Sequence, residues 1–218
     1  VHDQALSAPA KATQLVLDQK MKDDLLAQHN AVRCMHGAPP MTWDDGVATF
    51  AQLWADKLKA DSPDKCQMKH STSNSAFRQN AGENLAWGSL SNYFESGGRT
   101  MKKVVTMWYD EVEYYDFNQP GTTINLNKAI GHFTQVVWDT SLKLGCGVAS
   151  CTNGQVVVCQ YSPPGNYIGQ YGAHVAGVSK TATVCNVDGA VKQPCAADNT
   201  CAAKSTPSAP PPAGSAPP

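Results

Sequence analysis

Eight cysteines and six histidines carry the most distinctive chemistry in this chain, and their spacing limits what that chemistry is. The cysteines are Cys34, Cys66, Cys146, Cys151, Cys159, Cys185, Cys195 and Cys201. Their number is even and no two are spaced Cys-x-x-Cys, which argues against a zinc ribbon or a thioredoxin-like redox motif. The count supports four disulfides formed in an oxidising compartment and leaves their pairing open. A cysteine nucleophile is then not expected. The histidines are His2, His29, His36, His70, His132 and His174. None forms His-x-His or His-Glu-x-x-His, so spacing alone marks no metal centre. Ser71 adjoins His70, but residues adjacent in sequence rarely present their side chains to each other, and no Gly-x-Ser-x-Gly elbow occurs.

The elements that must position these groups follow from local signals. Asp18 can cap a helix running to about Met35, with Met21, Leu25 and Val32 at helical spacing and Gly37, Pro39 and Pro40 stopping it. Asp44 opens a second helix, with Val47, Phe50, Ala51, Trp54 and Leu58 on one face and Ser62-Pro63 at its end. Residues 61–82 are polar and turn-rich and read as a long loop. Gly97-Gly98 precedes a third helix over about 99–115, carrying Met101, Val104, Val105, Trp108 and Val112. Residues 131–138 read as a short helix. Segments 143–149 and 155–161 are β-rich around Asn153-Gly154, a strong hairpin signal. Antiparallel pairing puts Cys146 and Cys159 on one face, nearly opposite each other, where a disulfide would contribute about 2–4 kcal/mol.

Of 218 residues, 42% are hydrophobic and the formal net charge is −1, so neither nucleic acid nor an anionic membrane surface is expected as partner. No apolar run is long enough to span a membrane. The N-terminus has no charged-then-apolar leader, so a secreted reading requires that a signal peptide has been removed. The chain divides into an N-terminal arm (1–14), a folded domain (15–171), a cysteine-containing, hinge-like extension (172–201) and a Pro/Ala/Ser-rich tail expected to be disordered (202–218). Helices first and strands last suggest an α+β layered domain.

Three segments carry more than composition: Gly131-His132-Phe133-Thr134-Gln135-Val136-Val137-Trp138, the run from Val156 through Cys159 to Tyr167, and Gly82-Glu83-Asn84-Leu85-Ala86-Trp87-Gly88. Supporting them in order are His29-Asn30-x-x-Arg33, Cys66-x-x-x-His70-Ser71 and Trp108-Tyr109-Asp110-Glu111. Together they resemble the CAP superfamily of cysteine-rich secretory proteins, antigen 5 and pathogenesis-related-1 proteins, most closely the single-domain secreted proteins of parasitic nematodes. The resemblance covers about residues 15–170. It implies a three-layer α-β-α sandwich with a mainly antiparallel central sheet, a disulfide-tied C-terminal extension, a Gly-Glu-Asn turn at 82–84, and the pairs Cys146–Cys159 and Cys66–Cys151. Cys34, Cys185, Cys195 and Cys201 keep three possible connectivities.

The resemblance also places two histidines and two glutamates in one large cleft, here His70, Glu83, Glu111 and His132. Two neutral imidazoles with carboxylate oxygen could hold Zn²⁺ or another divalent cation with positions left for water. The bland readings differ by residue: Glu83 as a brace for loop amides, Glu111 as a structural partner of a histidine, His132 as a satisfied buried histidine. His29, Asn30 and Arg33 read as anchors of the first helix. His2, His36 and His174 read as surface residues, and Trp43, Trp54, Trp87, Trp108 and Trp138 as core. The function expected is that of a secreted, extracellular, non-enzymatic interaction or effector protein, of the parasite host-interaction or immunomodulatory type, acting on a host or cell-surface protein as a monomer or weak homodimer. One alternative is a sterol or fatty-acid carrier using Tyr93 and Phe94 in the 88–100 loop. The other is a metal- or histidine-assisted protease.

Overall fold

The computed structural model describes residues 16–89, 100–125 and 127–195. Helix α1 spans Gln19–Met35 and α2 spans Asp45–Asp61. Both start where an aspartate carboxylate accepts an otherwise orphaned amide: Asp18 from Met21 N at 2.8 Å, Asp44 from Val47 N at 3.0 Å. The strands are β1 (Thr42–Trp43), β2 (Gly82–Ser89), β3 (Lys143–Ser150) and β4 (Gly154–Ser162). Between β2 and β3 lie α3 (Met101–Tyr109), a 3₁₀ turn (Asp110–Tyr114) and α4 (Gly131–Val137), and a single turn of helix, α5 (Tyr171–His174), follows β4.

The sheet order is β1-β3-β4-β2. Its long pairs are antiparallel, and only the two-residue β1 runs parallel to β3. The β3–β4 hairpin pairs Cys146 with Cys159 as the sequence predicts, and a disulfide joins them. Alternation splits the core in two. Leu144, Cys146, Val148, Val157, Cys159 and Tyr161 face α1, α3 and α4, whereas Ala149, Val156, Val158 and Leu85 face α2. The result is an α-β-α sandwich, as the resemblance implies. The second layer is unusually close. A Cβ on Gly145 would lie 2.1 Å from the Ala48 backbone nitrogen, and one on Gly147 would lie 2.3 Å from Gln52 Cα. The side-chain amide of Gln52 reaches the open edge of β3 and bonds both the N–H and the C=O of Val148, so the helix also closes that edge. Gly147→Ala is therefore expected to push α2 off the sheet and cost about 2–3 kcal/mol, a fall of about 5–10 °C in melting temperature by calorimetry.

Cys66–Cys151 and Cys34–Cys185 are disulfides, and Cys195 is disulfide-bonded to a partner outside the described residues, where Cys201 and the 202–218 tail also lie. The extension folds back over α1. Ser179 and Lys180 amides donate to Met35 O, and the Gln28 amide exchanges two hydrogen bonds with the Asp188 backbone. Three expectations need correction. Gly82-Glu83-Asn84 starts a strand rather than forming a turn. The third helix is α-helical only to Tyr109, because Asp110, Glu111 and Glu113 bring three carboxylates to a helix C-terminus, where the backbone dipole opposes them. His36 is buried, not on the surface, between Tyr109 and the Ala176 carbonyl.

Candidate functional site

Strand β2 is a sheet edge, and its first residues bond the His70 ring on one face and the main chain of His132 on the other. Gly82 is needed because a Cβ there would stand 2.1 Å from Gln135 Oε1. Glu83 and Asn84 then send side chains to opposite faces of the sheet. On the α2 face, Glu83 Oε1 accepts from His70 Nδ1 and from the Ser71 amide, both at 2.9 Å. Its Oε2 accepts from Ser71 Oγ at 2.6 Å and from Gln160 Nε2 at 3.1 Å. Burial pushes this carboxyl up, but the bonds from His70, Ser71 and Gln160 outweigh it and hold Glu83 below its ordinary range. On the other face, Asn84 Nδ2 donates to the His132 carbonyl and to Tyr161 Oη, both at 3.1 Å.

His132 belongs to α4, whose N-terminus has no side-chain cap of its own. Glu111 supplies one from the 3₁₀ turn: Oε2 accepts the amides of His132 at 2.9 Å and Phe133 at 3.1 Å, and Oε1 accepts from His132 Nδ1 at 2.7 Å. Trp108 stacks against the His132 ring, 6.2 Å between centroids and 19° between planes, while its indole N–H donates to Leu85 O. Each imidazole thus gives its Nδ1 proton to a carboxylate, which leaves Nε2 as the available lone pair. The His70 side chain is 57% exposed and its partner Glu83 fully buried; His132 is 29% and Glu111 14% exposed.

The structure therefore joins the four residues two by two, as a His70–Glu83 pair on the α2 face of the sheet and a His132–Glu111 pair on the other. In chemical terms the carboxylates stand behind the imidazoles. Glu83 has all four of its acceptor positions filled by protein donors, and Glu111 has three filled. The outward donors are the two Nε2 atoms, and among the described residues no group of three or more His, Cys, Asp or Glu side chains converges on one point. Ser71 is buried and its hydroxyl proton points at Glu83, which makes it a brace rather than a nucleophile. Tyr93 and Phe94 lie outside the described residues. Sequence reasoning missed Gln160 and Trp108 as supports of the two pairs; the β2–β4 register, which sets Glu83 opposite Gln160, would have identified the first.

His29, Asn30 and Arg33 anchor α1 as expected. His29 Nδ1 faces Leu25 O at 2.7 Å, so its Nε2 accepts from Tyr161 Oη at 3.0 Å, and a buried chain runs from α1 through Tyr161 and Asn84 to His132. Asn30 bonds both the N–H and C=O of Met41, and Arg33 is buried among backbone carbonyls.

Comparison with known proteins gives the chain its relatives. A family model, "CAP: Cysteine-rich secretory protein family", matches residues 26–161. Pathogenesis-related protein 1B of Nicotiana tabacum is 42% identical over 153 residues, 70% of this chain and 80% of that protein. GLIPR1-like protein 1 of Bos taurus is 36% identical over 173 residues, 75% and 66% of the two chains. Among solved structures, NaASP2 with Zn²⁺ superposes with a TM-score of 0.57 at 26% identity, covering 79% of this chain and 92% of that one. Na-ASP-1 gives 0.59 at 25% identity; the match covers 80% of this chain and only 47% of Na-ASP-1.

Proposed function

This chain belongs to the cysteine-rich secretory protein (CAP) family, and on that premise we propose that it is an extracellular interaction protein that binds a divalent cation, Zn²⁺ foremost, between His70 and His132. The observation that carries this reading is the pairing of each imidazole with a carboxylate through Nδ1. That is the arrangement by which proteins orient a histidine and raise its basicity as a metal ligand. A cation held here takes only two donors from this chain, so water or a side chain of the target protein completes its coordination. Binding is then weaker than at a closed structural site and is available to bridge two proteins. The Zn²⁺ in the NaASP2 structure supports the choice of ion. An extracellular setting is supported by the disulfides, which persist in oxidising compartments. Among the described residues no helix is long and apolar enough to cross a membrane.

Isothermal titration with zinc chloride near neutral pH is expected to show one saturable site, weakening as the pH is lowered because ligation needs neutral imidazoles. Glu111→Gln should reduce affinity about 10–100-fold through loss of the supporting acceptor, and His70→Ala with His132→Ala should remove the site. Parent-like zinc binding by that double variant would refute the assignment.

A further inference from the structure

The edge of β2 that holds the imidazoles opens, at its other end, onto a second surface that the cation site does not use. Two observations fix which peptide groups of β2 face outward. The Cα atoms of Cys146 and Cys159 are 4.1 Å apart, the spacing of a non-hydrogen-bonded pair, so the Cys159 peptide groups turn towards β2 and bond at Asn84. Leu85 O, one residue on, accepts the Trp108 indole N–H and so points away from the sheet. Glu83, Leu85 and Trp87 therefore present their main-chain groups to the free edge. Glu83 and Leu85 are covered, but Trp87 is 36% exposed, and its backbone N–H and C=O take no partner from the described residues.

Beside Trp87 lies a groove of about 520 Å³ lined by Ser62, Lys65, Gln67, Met68 and Trp87. Its indole wall is fixed. Trp87 Nε1 donates to Lys65 O at 2.6 Å, and the ring lies over Gly154, where a Cβ would come within 2.5 Å of Nε1. Met68, which also lines the groove, is 52% exposed. Lys65 lines the groove, Lys69 follows four residues on, and the stretch between them holds no carboxylate, while nearby Asp64 is engaged by Asn153 Nδ2 and Asp61 by Lys57. An unpaired main-chain position on a strand edge, a largely apolar groove and a lysine at its rim are three complementary features, and each calls for a different part of one ligand.

We propose that this face docks an extended acidic segment of a partner protein. The segment pairs with Trp87 along the β2 edge, drops an aromatic or aliphatic side chain between Trp87 and Met68, and places its carboxylates against Lys65 and Lys69. A small organic anion would use the slot and the lysine but leave the strand edge idle, which is why the peptide is the better occupant. The site is separate from the imidazole pairs and stands or falls independently of the cation.

The test uses the full chain and a fluorescein-labelled Glu-Asp-Phe-Asp-Glu peptide amide, followed by anisotropy at low salt. Saturable binding is expected, at least tenfold weaker for the peptide with Ala in place of Phe. Trp87→Ala and Met68→Glu should each weaken it at least tenfold, the second without touching the Trp87–Lys65 bond. Lys65→Glu should reverse the preference towards a Lys-Lys-Phe-Lys-Lys peptide. Parent-like circular dichroism and thermal unfolding of the same variants show them folded whether or not the protein binds zinc, which separates this proposal from the cation reading. The proposal is overturned if the acidic peptide shows no saturation up to about 1 mM. It is equally overturned if binding ignores the Phe, or if Trp87→Ala and Met68→Glu both bind as the parent does.

Discussion

Arg33→Met is expected to remove a large part of the stability of the domain, at least about 3 kcal/mol in urea unfolding, against a total of about 5–15 kcal/mol for ordinary domains. The guanidinium has no exposed surface and meets no carboxylate within ion-pair distance among the described residues. It donates instead to four carbonyls: Pro39 at 2.8 Å from Nε, Val136 at 2.9 Å and Trp138 at 2.7 Å from Nη1, and Asp139 at 3.2 Å from Nη2. Three of these belong to the end of α4 and the turn after it. Arg33 is thus the C-terminal cap of the helix that carries His132, a cation at the negative end of a helix dipole. Burial pulls its pKa down to about 10, which still leaves it charged at neutral pH. Methionine fills much of the volume and replaces none of the four bonds; Trp138 O keeps the Ser141 amide at 3.1 Å, but the other three carbonyls lose this donor, at about 1–3 kcal/mol for each one stranded. Arg33→Lys keeps the charge but not the fork, so it should lose roughly half as much. Amide exchange should localise the opening of the Arg33→Met variant to α4, and zinc affinity should fall with it. A loss under about 1 kcal/mol would show that α4 is held by something other than this cap.

That cap illustrates where sequence reading works and where it stops. Asp18, Asp44 and Asn153-Gly154 act on backbone groups three or four residues away, so the helix starts and the hairpin, with its Cys146–Cys159 register, are readable from order alone. Arg33 acts across more than a hundred residues, and its role as an anchor is visible while its targets are not. The turn at Gly82-Glu83-Asn84 comes from the resemblance, and nothing in the local pattern opposes it: Gly82 through Ala86 are buried on both faces, Glu83 and Asn84 included, so β2 lacks alternation, and a buried polar residue looks exposed to any pattern of hydrophobicity. His36 misleads for the same reason, its partners Tyr109 and Ala176 being 73 and 140 residues away. Trp87 errs the other way, an indole expected in the core and found at the rim. The imidazole–carboxylate pairs lie 13 and 21 residues apart, spacings that belong to no helix or strand period. Only the family resemblance joined them, and only coordinates could show that the carboxylates sit behind the rings.

The buried histidines that position this scaffold set its tolerance to acid. His29 donates Nδ1–H to Leu25 O and accepts from Tyr161 Oη; His36 donates Nδ1–H to Ala176 O and accepts from Tyr109 Oη at 3.0 Å. Both are neutral with a fixed tautomer, and a second proton on Nε2 would confront a hydroxyl proton. Burial lowers both pKa values to about 4, helped in His29 by the nearby Arg33 charge. The unfolded chain has ordinary histidines at about 6.5. A folded pKa below the unfolded one means that the unfolded state binds protons first, so this stability is complete above about pH 6.5 and is lost as the pH falls towards 4. Each histidine contributes a slope of about 1.4 kcal/mol per pH unit in that window, and the two together remove about 5 kcal/mol between pH 6.5 and 4.5. Glu83, held below the usual carboxylate range, adds to the loss only at still lower pH. Urea midpoints measured across this range should fall steeply in the parent. In the His29→Gln, His36→Gln variant, which starts less stable, they should fall with a much shallower slope. The slope is the decisive quantity, because a merely weakened fold would shift the midpoints without flattening their dependence on pH. An equal slope in parent and variant would move the acid sensitivity away from these two imidazoles.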